Sequence, residues 1–219
     1  MTPLAEQMRR RTQRLHSDQS GLALIEFAYS LPLLMVLSMS GLEIANLAIA
    51  HMRVSQIAML VADNASRERT SIDETDINEI FTGAALVGNN IKSFKANTRI
   101  FLSDLEPNGL TGTKAGQFIR WQRCWGSGSF TSSYGVAGNG STDGSMAAGM
   151  GPTGKQITSG SGTAVMFVEV AYTYQPLISN TLFGNKVIRY NSAFNVRERT
   201  DQVMKNASSL PTSQTAACT

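Results

Sequence analysis

Polar and apolar positions divide this chain into three regimes. Residues 1–20 are polar and rich in arginine, without apolar periodicity. Residues 21–52, GLALIEFAYSLPLLMVLSMSGLEIANLAIAHM, are apolar on nearly every side, and from Leu22 to Ala50 the only charged residues are Glu26 and Glu43. A helix needs about 20 apolar residues to cross a bilayer, so the pattern predicts a transmembrane helix over 22–50. The run is too long for the core of a secretory signal, and no strong small-x-small cleavage site follows it. Beyond it the period changes. Leu47, Ala50, Val54, Ile57, Ala58, Val61 and Ala65 recur at helical spacing on one narrow face, with Arg53, Gln56, Asp63 and Arg67 opposite. No Gly or Pro interrupts residues 42–70. One helix from Leu22 to about Arg67 is expected, on the order of 65–70 Å long, its second half amphipathic and packed on a globular body. Pro32 removes a backbone hydrogen bond inside it and predicts a kink near Ala28.

Further along, Ser71-Ile-Asp-Glu74 has the spacing of a capping box, followed by Ile77, Ile80, Phe81 and Ala84 and closed by Gly88. This predicts a short amphipathic helix at about 72–87. Residues Thr98–Leu105 (TRIFLSDL) and Gln117–Trp125 (QFIRWQRCW) read as strands separated by Pro107, Asn108 and Gly109. Residues 126–162 are dominated by Gly, Ser, Thr and Asn and predict a long flexible loop. Thr163–Tyr174 (TAVMFVEVAYTY) reads as the strongest strand, and Val165–Val170 within it is apolar on both faces except at Glu169, the signature of a central strand. Val187–Arg197 alternates apolar Ile188, Tyr190, Phe194 and Val196 with polar Arg189, Asn191, Asn195 and Arg197, a half-exposed strand. After Arg199 the tail is polar, with only Cys218 to hold its end. The expected fold class is α+β: a long N-terminal helix, a short helix, and a mostly antiparallel sheet of three or four strands, covered on one side by the amphipathic half of the long helix. The chain then divides into a basic leader (1–21), a transmembrane helix (22–50) and an exported domain (51–219).

Charge sharpens this division. Of 219 residues 16% are charged, low for a soluble domain. The net charge is +3, and residues 1–20 hold Arg9, Arg10, Arg11 and Arg14 against Glu6 and Asp18. Once residues 1–21 are set aside, 15 of the 19 basic and 14 of the 16 acidic residues remain, a net of +1. The basic excess is therefore an orientation signal rather than a nucleic-acid footprint: it places the leader in the cytoplasm and the body outside it. In an exported body Cys124 and Cys218 can pair, worth about 4 kcal/mol from loop-closure entropy; two unpaired thiols are the alternative. Neither cysteine stands in a metal-ligand pair such as CxxC, so no zinc or other metal is expected.

Candidate chemistry is sparse. The two histidines, His16 in the leader and His51 at the membrane boundary, are not expected to serve a site in the body, which removes Ser-His-Asp and Cys-His arrangements. Gly149-Met-Gly-Pro-Thr-Gly154-Lys155 has the glycine and lysine spacing of a phosphate-binding loop but continues with Gln156 and lacks the preceding strand. Asn139 and Asp143 in GNGSTDG are too few oxygen ligands for calcium. Phe118, Trp121 and Trp125 with Arg120 and Arg123 have the makings of a base-stacking platform, although core aromatics beside surface arginines explain the same pattern. No pair of carboxylates is singled out for hydrolysis. No catalytic residue and no cofactor is expected, and the chain reads as a non-enzyme.

The carboxylates in the apolar run remain. A charge near the bilayer centre costs at least about 2.5 kcal/mol. Glu26 can reach the headgroups from near the helix start. Glu43 lies close to the Leu47–Val54 stripe, facing either a packing partner or the bilayer edge, with Asn46 three residues on as a hydrogen-bond partner. The order of the segment says more: arginines, Gly21, four apolar residues, Glu26, Phe27, then a long apolar helix with an early proline. G-LALIEFAYSLPLLM resembles the class III signal of type IV pilins, and more closely the start of TadE-like proteins, the minor pseudopilins of the tight-adherence (Tad, or Flp) pilus system. The resemblance covers about residues 20–66. It implies a pilin-like fold and cleavage after Gly21 by a prepilin peptidase, leaving Leu22 as the mature N-terminus. Glu26 then offsets the N-terminal ammonium of a neighbouring subunit. It also implies a bacterial inner-membrane location, with other Tad pilins, pseudopilins and pilus platform proteins as partners. The competing expectation is a bitopic envelope protein whose exported domain binds a ligand or senses the envelope.

Overall fold

The computed structural model describes residues 3–17, 21–180, 184 and 186–218. Two units are distinguished, Met1–Ala45 and Asn46–Thr219. In the first, α1 (Pro3–Ser17) is a helix where the sequence pattern predicts none. Its Leu, Ala, Glu, Gln, Met and Arg residues are strong helix formers, so propensity suffices without an apolar face. Helix α2 (Leu22–Arg67) is one helix of 46 residues, with Pro32 inside it, and its residues from Asn46 on belong to the second unit.

The second unit holds the rest. A short strand β1 (Ile72–Asp73) is followed by α3 (Glu74–Gly88), α4 (Phe94–Asn97), β2 (Thr98–Pro107), a 3-10 turn, β3 (Gln117–Trp125), β4 (Val165–Thr173), β5 (Val187–Asn195) and β6 (Met204–Lys205). Strands β3-β2-β4-β5 form one antiparallel sheet in that order, and β1 pairs in parallel with β6. The fold is therefore α+β, with β2 and β4 interior and β5 at an edge.

The predicted stripe on α2 is its buried face: Ala50, Val54, Ile57, Ala58, Val61 and Ala65 lie in one cluster with Ile77, Ile80 and Phe81 of α3. The sheet contributes Ile100 and Leu102 of β2, Trp121 of β3, Met166, Val168, Val170 and Tyr172 of β4, and Ile188 of β5.

The cap of α3 differs from expectation. Asp73, not Ser71, is the N-cap, and Asp76 closes the box by accepting from the Asp73 N–H at 2.9 Å. Glu74 is thereby released to accept a hydrogen bond from the Ala216 N–H and to pair with Arg123, a residue expected at the surface and found largely buried. Backbone N–H donors from Thr75 and Ala207 hold the Asp73 carboxyl below its ordinary value.

Residues 126–162, expected as a flexible loop, instead form a layer on the second face of the sheet. Met146, Met150 and Tyr134 pack with Leu105, Ile119, Val165 and Phe167. Glycine enables this by close approach rather than by looseness. At Gly140 (φ 78°) a side chain would strike the Gln117 carbonyl, and at Gly126 (φ 94°) the Thr98 carbonyl. Glu169, the one charge in β4, is buried and accepts from the Ser133 N–H (2.8 Å), the Ser133 hydroxyl (2.7 Å) and Arg189 (2.7 Å). A buried carboxylate needs several donors, and with the Ser132 hydroxyl at 3.2 Å the loop brings three of them.

The tail is also held more firmly than expected. Arg199 and Gln202 are buried, and the Asn78 amide donates to Gln214. The Cys124 N–H donates to the Ala216 carbonyl at 2.7 Å, and Cys124 is bonded to Cys218. The outer side of β3 is covered at one end by this tail and at the other by the loop, through Gly138 N–H to Ile119 and Ile119 N–H to Asn139.

The disulfide spans a sequence separation of 94, so Cys218→Ser is expected to lower stability by about 4 kcal/mol. Limited trypsin treatment should then cut after exposed Lys205 but spare buried Arg199. A tail that stays resistant at both sites would show that its hydrogen bonds suffice without the bridge.

Candidate assembly segment

Helix α2 begins directly after Gly21. The Ile25 N–H donates to the Gly21 carbonyl at 3.1 Å, so Gly21 supplies the first acceptor of α2 and Leu22 is its first residue. A Cβ at Gly21 would meet nothing within 4 Å, and its φ is not in the left-handed region. The fold therefore does not itself require glycine there. Glu26 is exposed one turn into the helix, beside Phe27, which is 60% exposed. The apolar side chains that follow, including Tyr29, Leu33, Leu34 and Val36, are exposed around the whole circumference. Soluble monomers seldom show a contiguous apolar patch beyond about 300–600 Å². This is the one helix among the described residues long and apolar enough to cross a membrane, and none of its most apolar window is buried.

Glu43 behaves otherwise. It is buried. Asn46 donates to the Tyr174 hydroxyl at 2.7 Å. His51, not expected to serve a site in the body, meets Tyr190 of β5 edge-on, with Nδ1 3.2 Å from the hydroxyl. The sequence reading missed this contact because it placed His51 by distance along the chain rather than by the helix face it shares with Leu47 and Val54.

No family model, curated protein or solved structure matches this chain. Function must be argued from its own residues.

The other candidates resolve into structure. Gly149–Lys155 turns back so that Met150 and Ile157 bridge, and Gly154 N–H donates to the Gln156 side chain. Asp143 accepts from the Ser145 N–H within its own turn. Among the described residues no three His, Cys, Asp or Glu side chains form a group able to hold a metal. Trp121 is in the core and donates to the Gln202 carbonyl at 2.8 Å, while Arg120 lies over the Phe118 ring at 5.4 Å.

A charged cluster that the sequence reading did not single out lies at the end of β2. Asp104 is fully buried, and neither carboxyl oxygen has a hydrogen-bond donor among the described residues. Its neighbour Glu106 takes both arms of Arg120, at 2.6 and 2.7 Å. Arg199, also buried, donates to the Ala65 and Glu68 carbonyls at the end of α2 and to Gln202. Burial pushes the Asp104 carboxyl from its ordinary 3.8 up to about 8; repulsion from Glu106 and a hydrogen bond to it add to the rise, and Arg199 and Arg120 oppose it without prevailing. Protonated, Asp104 becomes a donor and Glu106 its acceptor. The only sequence signal was an acid within the strand-like run IFLSDL.

The pH dependence follows. Between pH 3.8 and about 8 the folded chain holds a proton on Asp104 that the unfolded chain releases. Its contribution to stability is fully present below the lower value and is lost as pH rises through the upper one, by at most about 1.4 kcal/mol per unit. Asp104→Asn keeps a donor toward Glu106 without the titration. Urea unfolding of the full chain in micelles at pH 5 and pH 8 is expected to show the variant more stable than the parent at pH 8, with a flatter dependence. An unchanged slope would mean that Asp104 is ionised in the fold.

Proposed function

We propose that this chain is a TadE-like minor pseudopilin, a non-catalytic component that assembles in or beneath a tight-adherence pilus. The observation that carries the reading is the coincidence, at one point, of the Gly21-LALIEF signal with the start of a continuous helix that is exposed and apolar first and then buried along a stripe. A pilin-like subunit needs both halves: an apolar rod for lipid and for neighbouring rods, and a body built on the same helix. The leader, with Arg9, Arg10, Arg11 and Arg14, stays in the cytoplasm of a bacterial inner membrane, and residues 51–219 lie on the far side.

In this reading a prepilin peptidase cuts after Gly21 and creates an ammonium on Leu22. Neither that charge nor Glu26 is comfortable alone in lipid. Brought to about 4 Å, opposite charges attract by about 4 kcal/mol at an effective dielectric near 20, and leaving either unpaired costs more than the pair gains. Glu26 therefore favours subunits staggered so that one carboxylate meets the next chain's N-terminus. Lateral packing of apolar helices with other pilins, pseudopilins and platform proteins holds the assembly together.

Expressed beside a prepilin peptidase, the chain is expected to begin at Leu22, and Gly21→Leu should abolish cleavage without unfolding the protein, since a side chain at Gly21 meets open space. Glu26→Ala should leave expression and cleavage intact and reduce incorporation into pilus complexes. A full-length chain that never co-purifies with pilus components would instead identify a bitopic envelope protein. Normal piliation with Glu26→Ala would remove the charge-pairing role.

A further inference from the structure

The two edges of the sheet are treated differently. The β3 edge is closed by the loop and the tail. Strand β5 pairs with β4 in unbroken register over nine residues, without proline, lysine or bulge. Tyr174 N–H donates to Lys186 and Val196 N–H to Ala164, so the even-numbered residues of β5 exchange hydrogen bonds with β4. The backbone groups of Val187, Arg189, Asn191, Ala193 and Asn195 then point outward. Among the described residues none of them has a backbone partner, and the edge closes only at Arg197, whose N–H meets Ser66. Proteins ordinarily blunt such an edge.

A hollow flanks the edge on each face. On the helix side a groove of about 550 Å³ is lined by Met59, Leu60 and Phe194, with Arg67 and Arg197 sharing Asp63 at its rim. On the loop side a hollow of about 200 Å³ is lined by Pro152, Lys155, Ile157, Asn191 and Ala193. Four cations, Arg67, Arg197, Arg189 and Lys155, surround the edge against two carboxylates, Asp63 and Glu169.

We propose that β5 is a docking edge for an extended segment of a partner protein, which adds a fifth strand and sends apolar side chains into the Met59–Phe194 groove and acidic ones toward Lys155 and Arg189. Alternation along a strand delivers successive side chains to opposite faces, as the two hollows require, and the excess of cations selects an acidic segment. A second copy of this chain fits less well. Antiparallel β5–β5 pairing places a two-fold axis normal to the sheet and reverses the α2 segments lying on the two sheets, whereas chains inserted through one bilayer run the same way. That last step rests on the membrane reading above; the open edge and its charge do not.

The test uses the full chain in micelles and a synthetic nine-residue peptide alternating leucine or valine with glutamate or threonine. Residue-resolved hydrogen exchange is expected to slow by about tenfold or more at Val187, Arg189, Asn191, Ala193 and Asn195 when the peptide is added. The same peptide N-methylated at the amides facing β5 should not protect. Asn191→Pro removes an outward donor without touching the β4 ladder. It should weaken binding by about tenfold or more while Ile188, Tyr190 and Phe194 remain protected. Equal protection by both peptides, or by neither, overturns the proposal. Protection of the five amides that grows with protein concentration in the absence of peptide overturns it in favour of self-association. Neither outcome depends on cleavage at Gly21, so this proposal and the pilus reading fail separately.

Discussion

A single ladder of backbone hydrogen bonds carries α2 from Leu22 to Arg67, and the side chains along it face two different surroundings. A helix can do this because its backbone is satisfied internally whatever lies outside. The first part is apolar all round and exposed; the second is apolar along the stripe that packs with α3 and the sheet. That constraint explains the composition of the stretch. Proline appears only in the exposed part, at Pro32, where a lost hydrogen bond does not disturb a packed face. Small residues, Ala50, Ala58, Ala62 and Ala65, line the buried part.

A sheet covered on one face by a helix still has another face, and β4 is apolar on both. The cover comes from residues 126–162, whose composition ordinarily marks disorder. Here few apolar anchors suffice because polar atoms of the loop answer polar atoms of the sheet. Glu169 collects Ser133 and Arg189, and Gln117 exchanges hydrogen bonds with the backbone of Ser159 at 2.8 and 3.2 Å. The glycines are the positions where main chain passes too close to main chain for a Cβ.

What could be read from the sequence was what repeats. The stripe on α2, the strand pattern of β2 to β5 and the helical spacing of α3 each recur over several turns or pleats, so local errors average out. What could not be read depends on single long-range contacts. The spacing pointed to Ser71 and Glu74 as the capping box, whereas Asp73 and Asp76 form it and Glu74 meets Arg123 and Ala216. The layer over the sheet was invisible because glycine signals flexibility and close approach with the same letter. The start of α2 directly after Gly21 agrees with the apolar run that begins there; the burial of Glu43 was not legible, since spacing alone left it either side of the boundary.

The charges at the end of β2 show how such a core tolerates ions. Arg199 would be costly to bury alone. It sits on the Ala65 and Glu68 carbonyls, the negative end of α2, so the helix terminus supplies the acceptors and part of the countercharge. With the guanidinium so served, Asp104 is not needed as its anion and can remain neutral beside Glu106, itself neutralised by Arg120. The long helix thus shapes the body at both scales: its stripe packs in the apolar core, and the carbonyls at its end take the buried guanidinium of Arg199.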